Sequence, residues 1–350
     1  MRSTGPFLSL PALALASAAS AGSLILIPDT GADKVWAFSA YDGALVSNNW
    51  FPNDGRMKQV MQVAQLPGGT VVMTDTGTSQ SCSADDAVRE YTPCGQYIRT
   101  IASQADGVCN PQGICVAYGK VWFTRLYDSA SEPTPGANAL WSFEFDGTGL
   151  TQACASTDLQ KIWGLLPFNG GFIVADSADN NLESVPLSCA ASTPFFQSTT
   201  ASSLQFVQQV SAMPDGGVVA AGFSSPRGLH FFAGDGSYQY TASFASGARG
   251  AFVLENGEVL YTGGTDVRAY NPQSDTHRVI VSQIGASFRW ISKITVCPED
   301  LNCSGAIDGA DLGQLLGNWG ASGATDLDAS GSTDGADLGM LLSQWGPCAG

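Results

Sequence analysis

The chain has 350 residues, of which only 13% are charged, with 41 glycines and a formal net charge of −16. So acidic a balance argues against nucleic acid as a partner, because phosphate binding needs clustered Lys and Arg. The length favours one large domain plus a small one, and many glycines with few charges suit short strands joined by tight turns.

In chain order, the first element reads as a secretory leader over residues 1–21. Arg2 supplies the positive start, Phe7 to Ala18 the apolar stretch, and Ala19-Ser20-Ala21 the small-residue cleavage pattern, which places a mature start near Gly22. A buried strand or an anchor is the bland alternative, but the stretch is short of the ~20 apolar residues that spanning requires, and no other segment approaches that length. We therefore expect a secreted or extracellular chain without a transmembrane segment. Export fits the nine cysteines, most of which should pair in an oxidising compartment. Spacing suggests Cys82 with Cys94, Cys109 with Cys115, Cys154 with Cys189, and Cys297 with Cys348, leaving Cys303 over.

Residues 22–297 carry a repeat and no helical period. An apolar residue, two variable ones, an aromatic and a turn recur as "VWAFSAYDG" at Val35, "VREYTPCG" at Val88, "LWSFEFDG" at Leu140, "LHFFAGDG" at Leu229 and "VRAYNPQSD" at Val267. A degenerate copy, "LESVPLSC", starts at Leu182. Each copy follows another strand-like run, such as "GGTVVMTDTG" or "GGVVAAGF". Five of the six also follow a third run, such as "VMQVAQLPGG". The first copy lacks that run, and the missing piece stands at the other end as "RWISKITVC", Arg289 to Cys297. A strand from the C-terminal side would complete the first sheet and close a ring, removing the free edge. The repeats predict an all-β six-bladed β-propeller of four-stranded blades; a seven-bladed count or a pair of β-sandwiches is the structural alternative. The units resemble NHL-type and related six-bladed propellers, "NPQGICV" at Asn110 most of all.

Polar residues recur just before the innermost strands: Arg56, Lys58 and Gln59; Asn110 and Gln112; Gln160 and Lys161; Gln205 and Gln208; Arg249; Arg289. In a ring these positions crowd one mouth of the central channel. Arg56, Lys58, Lys161, Arg249 and Arg289 are thus candidate ligand-binding residues, suited to an anionic or glycan ligand. The bland reading is that strand starts are exposed and often polar.

The last 54 residues, 297–350, hold eight Asp or Glu and no Lys, Arg or His. Here the chain repeats itself at an interval of 26 residues: "DLNCSGAIDGADLGQLLGNWG" from Asp300 and "DLDASGSTDGADLGMLLSQWG" from Asp326. Both copies carry the oxygen-ligand spacing of an EF-hand-type calcium loop. The first offers Asp300, Asn302, Ser304, the Ala306 carbonyl, Asp308 and Asp311, with Gly305 at the sharp turn. The second offers Asp326, Asp328, Ser330, the Ser332 carbonyl, Asp334 and Asp337, with Gly331 at the turn. Calcium wants six to eight oxygens, so two Ca2+ ions are the expected cofactors. Each loop runs into a helix whose Leu312, Leu315, Leu316, Trp319 or Leu338, Leu341, Leu342, Trp345 form one apolar face. The doubling then has a physical reason: one copy cannot make a core, and two can pack across a pseudo-twofold.

This ending, residues 298–350, resembles a type I dockerin: two loop–helix repeats, no helix before either loop, and Asp at position 12. The resemblance implies docking to a cohesin-like or cell-surface protein. Position 5 is Ser in both loops, and the partner-recognition positions 10 and 11 are Gly309-Ala310 and Gly335-Ala336. His230 and His277 are the only histidines, and no nucleophile-elbow, zinc-helix or phosphate-loop motif accompanies them. The sequence therefore predicts a secreted non-catalytic binding protein with a calcium-stabilised attachment module. A secreted propeller hydrolase or lyase, acting on carbohydrate or lactone at the channel mouth, is the alternative.

Overall fold

The computed structural model describes residues 22–77, 82–126, 138–155, 159–199, 202–323, 325–328 and 330–348. The leader expected over 1–21 lies outside the described residues. Among the described residues no helix is long and apolar enough to cross a membrane.

Six four-stranded antiparallel sheets make up the body. Blade 2, for example, runs outward as Val60–Gln65, Val71–Thr76, Asp86–Tyr91 and Tyr97–Ser103. The innermost strands of blades 3 to 6 are Pro111–Ala117, Ile162–Phe168, Val207–Ala212 and Gly250–Val253. Blade 1 takes its innermost strand from the other end of the chain: Ser292–Thr295 pairs antiparallel with Ser23–Asp29. The expected ring closure is therefore present, and the count is six.

The core is divided into slices between neighbouring blades, which explains the sequence pattern. In Val218–Gly222 every residue is buried. Val218 and Ala220 pack towards blade 4, while Val219 and Ala221 pack towards blade 6. A strand covered on both faces reads as a continuous apolar run. Nearer the axis the inner strands approach closely. A Cβ on Gly164 would lie 2.4 Å from the Gln208 carbonyl oxygen, so only glycine fits there. Gln209 then ties three blades together. Its Oε1 accepts from the backbone N–H groups of Ala251 at 3.1 Å and Ile291 at 2.9 Å, and its Nε2 donates to the Ile291 carbonyl at 2.6 Å.

Beyond Thr295 the chain forms α1, Gly309–Gly317, and α2, Gly335–Ser343. Asp308 and Asp334 cap them in reciprocal capping boxes with Asp311 and Asp337. Ile307, Leu315 and Leu341 are the buried centre of this tail, with Leu312, Leu338, Cys297 and Cys348 around them. The two apolar faces bury only in part: Leu316, Trp319, Leu342 and Trp345 stay 50–51% exposed. Two nine-residue helices touching along one seam cover only the residues on that seam.

The disulfides are Cys82–Cys109, Cys94–Cys303, Cys154–Cys189 and Cys297–Cys348. Two pairings expected from spacing hold, and two are corrected. Cys82 and Cys94 flank the strand Asp86–Tyr91, of six residues, so ~20 Å separates their faces of the propeller, far beyond disulfide reach. Cys109 takes Cys82, and Cys94 takes Cys303 instead of leaving it unpaired. The thiol left over is Cys115, which burial pushes well above the ordinary thiol range.

Candidate functional site at the channel mouth

Every inner strand starts at the same end of the channel. An Asp at the inner end of the second strand fixes that start in three blades. Asp75 accepts the backbone N–H groups of Lys58 at 2.9 Å and Gln59 at 2.8 Å. Asp176 accepts those of Gln160 at 2.7 Å and Lys161 at 3.1 Å. Asp29 accepts that of Ser287 at 2.8 Å. In blade 3 this position is Arg125, and the neighbouring Asp86 takes over by accepting the Asn110 N–H at 2.7 Å. Burial raises the Asp86 carboxyl to about 6 despite these donors. The repeated "D-T-G" and "D-S-A" turns thus set the mouth's backbone. Cys82 and Cys109 lie beside Asp86, but their sulfurs are joined to each other and are no metal ligands.

The starts of the strands enclose a pocket of about 180 Å³, lined by Gln59, Met61, Thr76, Asn110, Gln112, Trp163, Phe206, Gln208, Phe223, Arg249 and Arg289. Its floor is apolar: Met61, Trp163 and Trp290 pack together on the axis with Leu126 and Phe206. Below that plug the channel widens towards the far face, where Gln62, Gln209 and Ser292 are among the residues lining about 640 Å³.

Of the five predicted cations, the structure brings Arg249 and Arg289 into the pocket. The other three do not line it, which corrects the idea of a five-membered rim. Arg56 turns outward, pairing with Asp54 at 3.3 Å and lying over the Tyr97 ring at 4.4 Å. Lys58 sits half-buried at the edge and Lys161 is exposed; their backbone N–H groups bond to Asp75 and Asp176. The polar residues Gln59, Asn110, Gln112 and Gln208 do line the pocket, as the strand-start pattern suggested. Its aromatic wall of Trp163, Phe206 and Phe223 was not anticipated. The one signal was positional: Phe206, at φ 53°, takes the left-handed conformation that Asn110 takes at φ 47° before its own inner strand.

Among the described residues neither arginine has a carboxylate at salt-bridge distance, although the Asp29 charge acts on Arg289 and opposes the lowering of its pKa. Arg249 stacks on the Phe223 ring at 4.4 Å, and its Nε has no hydrogen bond. Arg289 donates from Nε to Thr30 Oγ1 at 3.1 Å. Burial lowers the pKa of both; for Arg289 burial, then the Arg249 charge, brings it to about 10. Two like charges held together and partly withdrawn from water make a site that an anion would relieve. Neither histidine is here. His230 is buried in blade 5 between Thr241 Oγ1 at 2.8 Å and the Pro226 carbonyl at 3.2 Å, its pKa lowered by burial to about 4. His277 sits against Tyr261 and Tyr270 on blade 6.

The tail lies on the opposite face, where Cys94–Cys303 fastens it and Gln65, Gly69 and Thr295 meet Asp300, Gly305 and Cys348. Its two loops repeat one hydrogen-bond pattern. Asp300 accepts from the N–H groups of Ser304 at 3.0 Å and Gly305 at 2.8 Å; Asp326 accepts from those of Ser330 at 3.0 Å and Gly331 at 2.9 Å. Asp311 and Asp337, both buried, reach back to the start of their loops, to the N–H groups of Asn302 and Asp328, each at 3.1 Å. The N–H of Asp334 first, then those of Asp328 and Leu327, hold the Asp337 carboxyl below the usual carboxylate range. Carboxylate oxygens of Asp326, Asp328 and Asp337 fall within 4.8 Å of one another. Asn302 replaces the corresponding Asp in the first loop. Gly305 and Gly331 turn at φ +89° and +105°, a region closed to most side chains. An all-oxygen donor set of this size fits a hard divalent ion.

No protein-family model and no curated protein matches the chain. Solved structures do match in shape. A chain of a nidogen/laminin complex superposes with a TM-score of 0.62 at 13% identity, over 78% of this chain and 98% of that one. A structure described as a putative gluconolactonase gives 0.51 at 16% identity, over 78% and 84%. A protein of unknown function from Bacteroides caccae gives 0.52 at 11%, over 78% and 99%. At these identities the likeness is one of fold, the six-bladed propeller.

Proposed function

We propose that this chain is a secreted, non-catalytic binding protein. On this reading the propeller mouth holds an anionic ligand, and the acidic tail takes up two calcium ions and attaches the molecule to a partner or cell surface. The observation that carries the mouth reading is the half-buried pair Arg249 and Arg289, which have no carboxylate at salt-bridge distance among the described residues. Among the described residues the pocket's lining supplies donors, amides and aromatic surface, but no carboxylate, histidine or thiol to act as a base or nucleophile. The likeness to a putative gluconolactonase favours the second reading, a propeller that hydrolyses lactones, and that reading needs a base the lining does not offer. Two observations support export: the leader-like start and four disulfides. The tail's oxygen-rich, twice-repeated loops support calcium, and their place opposite the mouth leaves the pocket facing away from whatever the tail holds.

An acidic-glycan array tests the mouth. The wild-type chain should be retained, and the Arg249→Gln/Arg289→Gln double variant should lose at least tenfold in affinity. Failure of the wild type to bind any acidic ligand would overturn the reading.

A further inference from the structure

The mouth pocket also specifies what accompanies the charge. Two amides in it are oriented by partners whose roles are fixed. The Trp290 indole N–H, which can only donate, points to Gln208 Oε1 at 3.4 Å. Gln208 Nε2 is therefore a donor, and it is buried with no partner. The Asn110 carbonyl, which can only accept, lies 3.4 Å from Gln112 Nε2, and that amide nitrogen also bonds Asn110 Oδ1 at 2.6 Å. Gln112 Oε1 is therefore an acceptor, likewise buried with no partner. Both side chains are at least 98% buried, with Gln208 at 0% exposure and Gln112 at 2%. Leaving a buried polar atom unpaired costs ~1–3 kcal/mol, so a pocket with one free donor and one free acceptor favours a guest that offers both. A hydroxyl does so. Beside these amides stand the two guanidiniums and the aromatic side chains of Trp163, Phe206 and Phe223, the Phe223 ring stacked by Arg249.

We infer that the pocket takes a single hydroxylated carboxylate of sugar-acid type, its carboxylate on Arg249 and Arg289 and its hydroxyls on Gln112 and Gln208. The inference rests on the mouth reading above and narrows it. About 180 Å³ falls below the ~300–1,000 Å³ of drug-sized sites, which suits one ring and excludes a buried oligosaccharide. The aromatic wall suits the apolar C–H face of such a ring. Planar, bidentate recognition by arginine suits a carboxylate. The source is either a free sugar acid or the terminal unit of an acidic polysaccharide, since only one unit has to enter.

Calorimetry on the full chain tests this with galacturonate, tri-galacturonate, galactose, acetate and sulfate. Galacturonate should bind at least tenfold more tightly than galactose, which lacks the charge, and than acetate or sulfate, which lack the hydroxyls. Equal affinity for monomer and trimer would assign a free sugar acid, and tighter binding of the trimer a polysaccharide end. Gln208→Met and Gln112→Met should each weaken galacturonate about fivefold or more while leaving the weak sulfate binding unchanged. Arg249→Gln should weaken both, with thermal melting confirming that each variant folds. Galacturonate binding no better than sulfate would overturn the sugar-acid inference and leave an anion site standing. Binding of none of the five probes would overturn the inference, and with it this pocket as an acid-binding mouth.

Discussion

At the residue scale, two buried titratable groups pull stability in opposite directions. Asp86 has its carboxyl raised to about 6 by burial. Between its unfolded value near 3.8 and about 6, the folded chain binds more proton than the unfolded chain, so its contribution to stability falls as pH rises. His230 has its pKa lowered to about 4 from 6.5, again by burial. Over that window the unfolded chain binds more proton, so its contribution rises with pH. Urea unfolding at pH 4, 5, 6 and 7 should expose both. The cost of Asp86→Asn should shrink as pH rises through the window, and the cost of His230→Gln should grow, each by no more than about 3 kcal/mol. Two costs that tilt the same way with pH would refute the assignment. Sequence made neither effect visible. Both residues look like ordinary polar members of a strand, and what shifts both is burial, which spacing along the chain does not reveal.

At the element scale, the strands were legible and the connections between faces were not. A propeller strand meets only its sheet neighbours and the adjacent blades, so "GGVVAAGF" and its relatives declare themselves within a few residues. Disulfide partners depend on which face a connection reaches. Cys94 lies on the far face with the tail, a strand's length from Cys82 on the mouth face, and sequence spacing hides that separation. Likewise Arg249 and Arg289 could be named from strand starts, but Arg56 could not be rejected, because only its side-chain direction takes it away to Tyr97. The two tail loops share one hydrogen-bond pattern, and their likeness shows in the sequence because those contacts are local. On the calcium reading, equilibrium dialysis of the full chain should give two ions per molecule. Asp311→Asn and Asp337→Asn should each remove one of them, weakening that loop more than ~tenfold. The second loop, with four carboxylates against three, should fill first. No uptake by the wild type would refute it.

At the scale of the whole molecule, the ring and its tail are fastened by two different devices. Ser292–Thr295 closes blade 1, while the Cys94–Cys303 disulfide bridges 209 residues to hold the tail against the far face. The tail also covers one side of an apolar cleft of about 450 Å³, whose lining includes Leu24, Val46, Trp50 and Leu301. A chain ending at Val296, with Cys94→Ser to avoid a stray thiol, keeps every blade at four strands. It should fold and retain the mouth's ligand affinity within about twofold, because the pocket lies at the opposite end of the inner strands. It should also lose stability, since the bridge alone contributes ~2–5 kcal/mol on chain-entropy grounds. A chain ending at Ile291 differs by five residues but leaves the Ser23–Asp29 strand as an open, apolar edge, and it should aggregate. Thermal melting with size-exclusion chromatography separates the two outcomes. If both truncations fold alike, the closing strand is dispensable; if neither folds, the tail is part of the propeller's own stability and not an appended module.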